Sequence, residues 1–136
     1  MLHTDFPGLP LHASGKVRDL YLLDGRMLFV ATDRISAFDY VLASGIPNKG
    51  RVLTQLSLFW FNFLSAIVAN HVSTADVSQY PEFLQPWRHD LEGRSMLVVR
   101  ADMVPIECVV RGYLSGSAWK EYGRRVRFAA SLCLRD

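Results

Sequence analysis

Two β-rich runs, residues 16–23 and 27–32, flank the dipeptide Asp24-Gly25, and this arrangement does most to limit the folds open to the chain. A tight link between strands needs positive φ, which glycine adopts at little steric cost. Asp-Gly between two such runs therefore predicts a hairpin, the seed of an antiparallel sheet.

The next constraint is a helix. After a mixed stretch at residues 36–46, the loop Gly45-Ile46-Pro47-Asn48-Lys49-Gly50 leads into a run whose apolar residues recur at spacings of three and four: Val52, Leu53, Leu56, Phe59, Trp60, Phe63, Leu64, Ile67 and Val68. The spacing predicts a helix from Arg51 to about Asn70, with Asn70-His71 as the stop. Leu58 and Phe61 widen the stripe almost all the way round, so the helix wants cover on more than one side, and a single small sheet would leave part of it exposed. The apolar window 52–69 is near the lower length limit for a membrane span, but Thr54, Gln55, Ser57, Asn62 and Ser65 interrupt it. It reads as a buried helix of a soluble protein.

Elsewhere the signals are weaker. Pro7-Gly8 and Pro10 disfavour regular structure at the start, and prolines with mixed polarity predict loop and short irregular pieces over 73–93. Residues 95–100 and 106–113 read as two further strands joined by 101–105, and Ser115-Gly116-Ser117 leads into a short helix, 118–122.

A chain of 136 residues, half of them hydrophobic and a fifth charged, fits one globular domain and not two. Its formal charge of +2 is unevenly placed: Gly123 to Asp136 holds Arg124, Arg125, Arg127 and Arg135 against Asp136, a local +3 that leaves −1 for the rest. The scattered cations of that body argue against a nucleic-acid partner. Cys108 and Cys133 lack metal-site spacing, and the first residues lack the basic-then-apolar pattern of a secretory leader, so no metal site within the chain, no membrane and a cytoplasmic location are expected.

Three motifs carry candidate chemistry. In Gly15-Lys16-Val17-Arg18-Asp19-Leu20-Tyr21 a glycine and two cations open a strand; backbone N–H groups at such a turn, with a lysine, can cradle a phosphate. The second glycine and the Lys-Ser/Thr pair of a P-loop are missing, and an ordinary basic strand start is the alternative. Asp33-Arg34-Ile35-Ser36-Ala37-Phe38-Asp39 follows an apolar strand, where loops often carry function, yet Asp33 or Ser36 would equally serve as a helix cap. In residues 104–117, strand alternation puts Glu107, Val109 and Arg111 on one face ahead of Gly116-Ser117, which reads either as a salt-bridged surface strand or as an anion site at a helix start. His3, His12, His71 and His89 are dispersed, and none is paired with an obvious nucleophile.

Met103-Val104-Pro105-Ile106-Glu107-Cys108-Val109-Val110-Arg111, followed by Ser115-Gly116-Ser117-Ala118-Trp119-Lys120-Glu121-Tyr122, closely resembles the pattern of the SAICAR synthetase (phosphoribosylaminoimidazole-succinocarboxamide synthase) family. The first two motifs and Asn48-Lys49-Gly50 resemble further family blocks in the right order, so the similarity spans Gly15 to Tyr122. The resemblance implies an α+β fold, an antiparallel sheet with packed helices like a kinase small lobe. It implies a ligase that uses ATP and Mg2+ to join L-aspartate to carboxyaminoimidazole ribonucleotide, through an acyl phosphate that the aspartate amine attacks.

By position, Gly15, Lys16, Val17 and Arg18 would hold the ATP phosphates, and Arg100, Asp102 and Val104 would belong to the connector that meets adenine. Glu107, Arg111 and Ser117 would face the ribonucleotide, with Ser36 and Asp39 lining the substrate side. Val99-Arg100 stands where the family pattern has a basic pair. The family continues beyond the Trp-Lys-Glu-Tyr helix into a second domain with an Asp-x-Lys-x-Glu motif, where the magnesium ligands are expected. On this reading residues 1–122 form the nucleotide-binding region and 123–136 a tail unlike the family, as a shifted reading frame or truncated gene would leave. The alternative is a non-catalytic ATP-binding module or an inactive fragment.

Overall fold

The structure, a computed structural model, describes the chain except for Asp39, Met103, residues 107–109, Arg111 and residues 125–136, and it leaves out the side chain of Arg124. It divides into two units, Met1–Asp102 and Met103–Asp136. In chain order the first unit carries β1 (Leu11–Ser14), β2 (Arg18–Leu23), β3 (Arg26–Ala31), β4 (Ser36–Ala37), β5 (Tyr40–Val41), α1 (Lys49–Phe63), β6 (Val72–Thr74), two 3-10 segments (Val77–Gln79 and Glu82–Trp87), α2 (Arg88–Leu91) and β7 (Ser95–Val99). The second unit contains α3 (Gly116–Arg124).

The hairpin forms as its turn residues dictate. Gly25 has φ 66°, Leu23 faces Arg26 across the turn, and pairing continues unbroken to Arg18 opposite Ala31. Strands β1 and β7 extend it on either side and β6 pairs with β7, giving an antiparallel sheet of order β1-β2-β3-β7-β6; β4 and β5 make a separate small hairpin. The fold is α+β.

Alternation then divides the sheet into two faces. Tyr21, Leu28 and Leu97 lie on one, packed with Phe6, Val77, Tyr80, Leu84 and Leu91 into the main core. Full burial of one such side chain is worth about 1.5–3 kcal/mol, so this cluster is the chief stabilising feature of the unit. Leu20, Leu22, Met27 and Phe29 share the opposite face, where α1 lies against β3 and β7. The ring of His71 sits between Phe29 at 5.9 Å and Phe61 at 5.5 Å and ties the helix to that face, so the half-buried His71 is part of the packing.

Several expectations need correction. A strand, β1, begins immediately after Pro10, where no regular structure was expected; both prolines precede it and need no ladder N–H. The strand expected from Lys16 begins at Arg18, because residues 15–17 form the turn before it. Residues 73–93 contain β6, helical turns and α2.

The helix expected to reach Asn70 ends at Phe63. Ser65 bonds Asn62 O through both its N–H, at 3.2 Å, and its Oγ, at 2.7 Å; the N–H groups of Ile67 and Val68 both return to Leu64 O. Local bonds of this kind compete with the helical ladder, and β-branched Ile67 and Val68 add little propensity to extend it. Asn70 instead accepts the Val72 N–H and starts β6. Nor is the helix buried: Gly50 and Thr54 are, but Val52, Leu56, Phe59, Trp60 and Phe63 are exposed, Phe63 to 65%.

In the second unit the expected helix 118–122 lies within α3. Half of the expected strand 106–113 falls outside the described residues, and Ile106, Val110, Gly112 and Tyr113 belong to no strand. Pro105, lacking an N–H, sits at the centre of a tight turn closed by the Ile106 N–H to Val104 O at 2.8 Å. Among the described residues, no helix is long and apolar enough to cross a membrane.

Candidate functional site

The glycine motif forms the turn between β1 and β2, and its backbone is held from several directions. The Gly15 N–H donates to Arg18 O at 2.7 Å, and Val17 O accepts the Thr32 N–H at 2.8 Å and the Thr32 Oγ1 at 3.0 Å. Arg34, in the link between β3 and β4, donates from Nη2 to Gly15 O at 2.8 Å and from Nη1 to Leu2 O at 3.0 Å. The same guanidinium forks onto Asp19, with Nη2 to Oδ1 at 2.7 Å and Nη1 to Oδ2 at 3.1 Å. Ser14 and Thr4 hydroxyls donate to the same carboxylate at 2.6 Å and 2.7 Å. Burial alone would raise the Asp19 pKa, but these donors outweigh it and hold the carboxyl below its ordinary value. A cleft of about 480 Å³, lined by His3, Ser14, Gly15, Lys16, Arg34 and Val41, opens beside the turn.

A second buried node centres on Asp33. Its Oδ2 accepts the Met1 ammonium at 2.7 Å, its Oδ1 the Gly50 N–H at 2.9 Å, and Arg94 Nη1 reaches Oδ1 at 3.2 Å. Burial pushes its pKa up, but the hydrogen bonds from the Met1 amine, Gly50 and Arg94 prevail and bring it to about 2. The node borders a cleft of about 370 Å³ lined by Met1, Leu2, Asp33, Gly45, Pro47, Asn48 and Arg94. The cap alternative for this motif holds in part: Asp33 does bond a helix N–H, but in the first turn of the distant α1, where a carboxylate also complements the helix dipole.

The other candidate residues separate by position. Ser36 is half-buried in β4, while Asp39 lies outside the described residues. Arg100 and Asp102 follow β7 and are exposed, with the Arg100 N–H directed at Gly25 O at 3.4 Å. They therefore sit at the Gly25 end of the sheet, whereas Gly15, Lys16, Val17 and Arg18 occupy the other end of β2. Val104 and Ser117 belong to the second unit, both exposed, with Ser117 in the first turn of α3; Glu107 and Arg111 lie outside the described residues.

Sequence reasoning missed the Arg34–Asp19 and Arg94–Asp33 pairings. The available signal was a charge set at the edge of each apolar strand, where alternation turns it inward and a partner becomes obligatory. Among the described residues no three His, Cys, Asp or Glu side chains converge on a metal site; Asp19 and Asp33 already face arginines.

Comparison with known proteins gives the same answer from three directions. The family model described as SAICAR synthetase matches residues 11–133, past the Tyr122 at which the motif resemblance ends. A phosphoribosylaminoimidazole-succinocarboxamide synthase of Desulfosudis oleivorans is 58% identical over 134 residues, 98% of this chain and 45% of that protein; one of Desulfotalea psychrophila is 60% identical over 90% of the chain and 42% of its own length. A solved SAICAR synthase superposes with a TM-score of 0.83 at 46% identity, covering 95% of this chain and 45% of that one. The SAICAR-synthase from Saccharomyces cerevisiae complexed with SAICAR gives 0.81 at 48% identity, over 90% of this chain and 44% of its own. The chain thus spans a little under half the length of these relatives, and it belongs to the SAICAR synthetase family.

Proposed function

We propose that the chain supplies the nucleotide-binding part of an ATP-dependent ligase that joins L-aspartate to carboxyaminoimidazole ribonucleotide, giving SAICAR, ADP and phosphate in purine biosynthesis. The observation that carries the reading is the disposition of the two candidate ATP segments along one hairpin. The cationic Gly15–Arg18 turn lies at one end of β2 and the Arg100–Asp102 connector at the other. The five strand residues after Arg18 separate them, on the order of 17 Å at the usual rise per residue. An extended nucleotide with its base at the connector and its phosphates at the turn fits that geometry.

The reaction gathers several anions, and catalysis begins by lowering their mutual repulsion with preorganised cations and N–H donors. In this reading Gly15, Lys16, Val17 and Arg18 serve the ATP phosphates, Arg100, Asp102 and Val104 the adenine side, and Ser36, Asp39, Glu107, Arg111 and Ser117 the ribonucleotide and aspartate. Mg2+ would neutralise phosphate charge; the buried carboxylates of the described residues are committed to arginines, and its ligands belong to the part of the family that this chain does not span. A cytoplasmic location, with small-molecule partners and neither nucleic acid nor membrane, goes with this role. The 1–122 region with a 123–136 tail is the proposed division of the chain; residues 125–136 lie outside the described ones, and the family match to residue 133 is the observation that division has to accommodate.

The relatives' greater length also favours a second reading, an ATP-binding module without turnover of its own. Calorimetry of the full chain with ATP and Mg2+, compared with Lys16→Ala, tests the nucleotide site. Binding that weakens about tenfold or more in the variant is expected for loss of a charged phosphate contact. A folded chain that does not bind ATP overturns the proposal.

A further inference from the structure

Arg34 lies within the Asp33–Asp39 motif, and its contacts reach well beyond that segment. Its side chain is 6% exposed, and it ties together three segments that are remote in sequence: Leu2, the Ser14–Gly15 corner and β2. The fork onto Asp19 fixes the guanidinium plane, because two parallel N–H···O bonds leave little freedom of rotation. That plane in turn holds Gly15 O at 2.8 Å from Nη2. A peptide unit is rigid and trans, so anchoring the carbonyl of Gly15 also sets the direction of the Lys16 N–H and the point from which the Lys16 side chain leaves the backbone. Two residues on, Thr32 anchors Val17 O in the same way.

We infer that Arg34, oriented by Asp19, is a positioning residue for the phosphate turn: its guanidinium N–H groups are directed to Asp19, Gly15 and Leu2, and through them it preorganises Gly15 and Lys16 for the triphosphate. The inference rests on the proposed ATP site. The physical argument is one of entropy. A free glycine-containing turn samples many conformations and must be ordered when the anion arrives, whereas a clamped one has been ordered by folding. Lysine at position 34 keeps the charge but has no planar fork, so it cannot hold Asp19 and Gly15 O together in this geometry.

The test uses the full chain, with ATP and adenosine as probes in the presence of Mg2+ and amide NMR as the structural readout. In Arg34→Lys, ATP affinity is expected to fall about ten- to a hundredfold while adenosine affinity stays within about twofold, since only the phosphate half of the site has lost its order. The Gly15 and Lys16 amide resonances should shift or broaden while those of Leu28 and Leu97 hold. Asp19→Asn, which keeps the shape of the acceptor but not its charge, should lose less ATP affinity than Arg34→Lys. Tyr80→Phe is the control for general loss of stability: it removes a buried hydroxyl that bonds Ser95 Oγ at 3.0 Å and not the turn, and should leave ATP affinity unchanged.

Equal losses for ATP and adenosine in Arg34→Lys, or a matching loss in Tyr80→Phe, would show that Arg34 only supports the fold and would overturn the inference. Should Arg34→Lys fail to fold, Asp19→Asn and the amide shifts decide the question alone. Absence of ATP binding in the unmodified, folded chain would reject the nucleotide site itself, which is a separate outcome.

Discussion

Asp33 and Gly50 show how closely single atoms are specified where α1 meets the sheet. An ideal Cβ on Gly50 would overlap the Ala31 carbonyl oxygen and come within 3.1 Å of Arg94 Nη1. Backbone cannot retreat as a flexible side chain can, so Gly50→Ala should destabilise the chain by about 2 kcal/mol or more, seen as a fall of several degrees in Tm by circular dichroism. Asp33 yields a pH prediction. Its folded pKa, about 2, lies below its ordinary 3.8, so its contribution to stability is complete above 3.8 and is lost as pH falls toward about 2. Asp19, also lowered, works in the same direction. Denaturant unfolding between pH 5 and pH 2 should therefore show a steep loss of stability that Asp33→Asn makes shallower. That variant should also be less stable at pH 6 by about 3 kcal/mol, because Arg94 keeps its charge in a buried place without its partner. A slope unchanged by the substitution would mean that other groups govern the acid transition.

Among the elements, the hairpin and α1 differ in how legible they are, and the reason is physical. Asp24-Gly25 is a local code: positive φ at one residue decides the turn, and the register from Leu23 opposite Arg26 follows. The stop of α1 is decided by competition between nearly equal local bonds around Ser65 and Leu64, which periodicity does not report. The cationic turn was readable from Gly15, Lys16 and Arg18, but the guanidinium beneath it was not, since Arg34 and Asp19 meet only through strand pairing 15 residues apart in sequence. The outer face of α1 carries its own prediction. Phe59, Trp60 and Phe63 pack on one another at 5.3–6.0 Å while remaining about half exposed. Exposed aromatic clusters promote association. Trp60→Gln combined with Phe63→Gln should change unfolding free energy by less than about 1 kcal/mol and reduce self-association in sedimentation velocity. A large loss of stability would show that the face is covered within the chain itself.

At the scale of the whole molecule, charge and completeness make separate demands on function. The proposed phosphate turn would act through charge, so ATP binding by the chain is expected to weaken as salt rises and to be largely lost near 1 M, where the Debye length is about 3 Å. Turnover requires more than binding. The chain spans 45% of the length of its relative from Desulfosudis oleivorans, and its described residues bring together no three carboxylate, histidine or cysteine side chains able to hold a metal ion. A ligase that joins two anionic substrates at the expense of ATP needs the charges of all three neutralised together and their reacting atoms aligned, and alignment can contribute on the order of 7–11 kcal/mol of the barrier. The proposed nucleotide-binding part would by itself retain the first in some measure and lack the second. The purified chain should accordingly bind ATP but release no ADP above background when ribonucleotide, L-aspartate and Mg2+ are supplied, in a coupled assay that detects turnover by the relative. ADP release that depends on both co-substrates would mean that the residues present here complete the active site, and that the remaining length of the relatives serves stability or assembly and not the reaction.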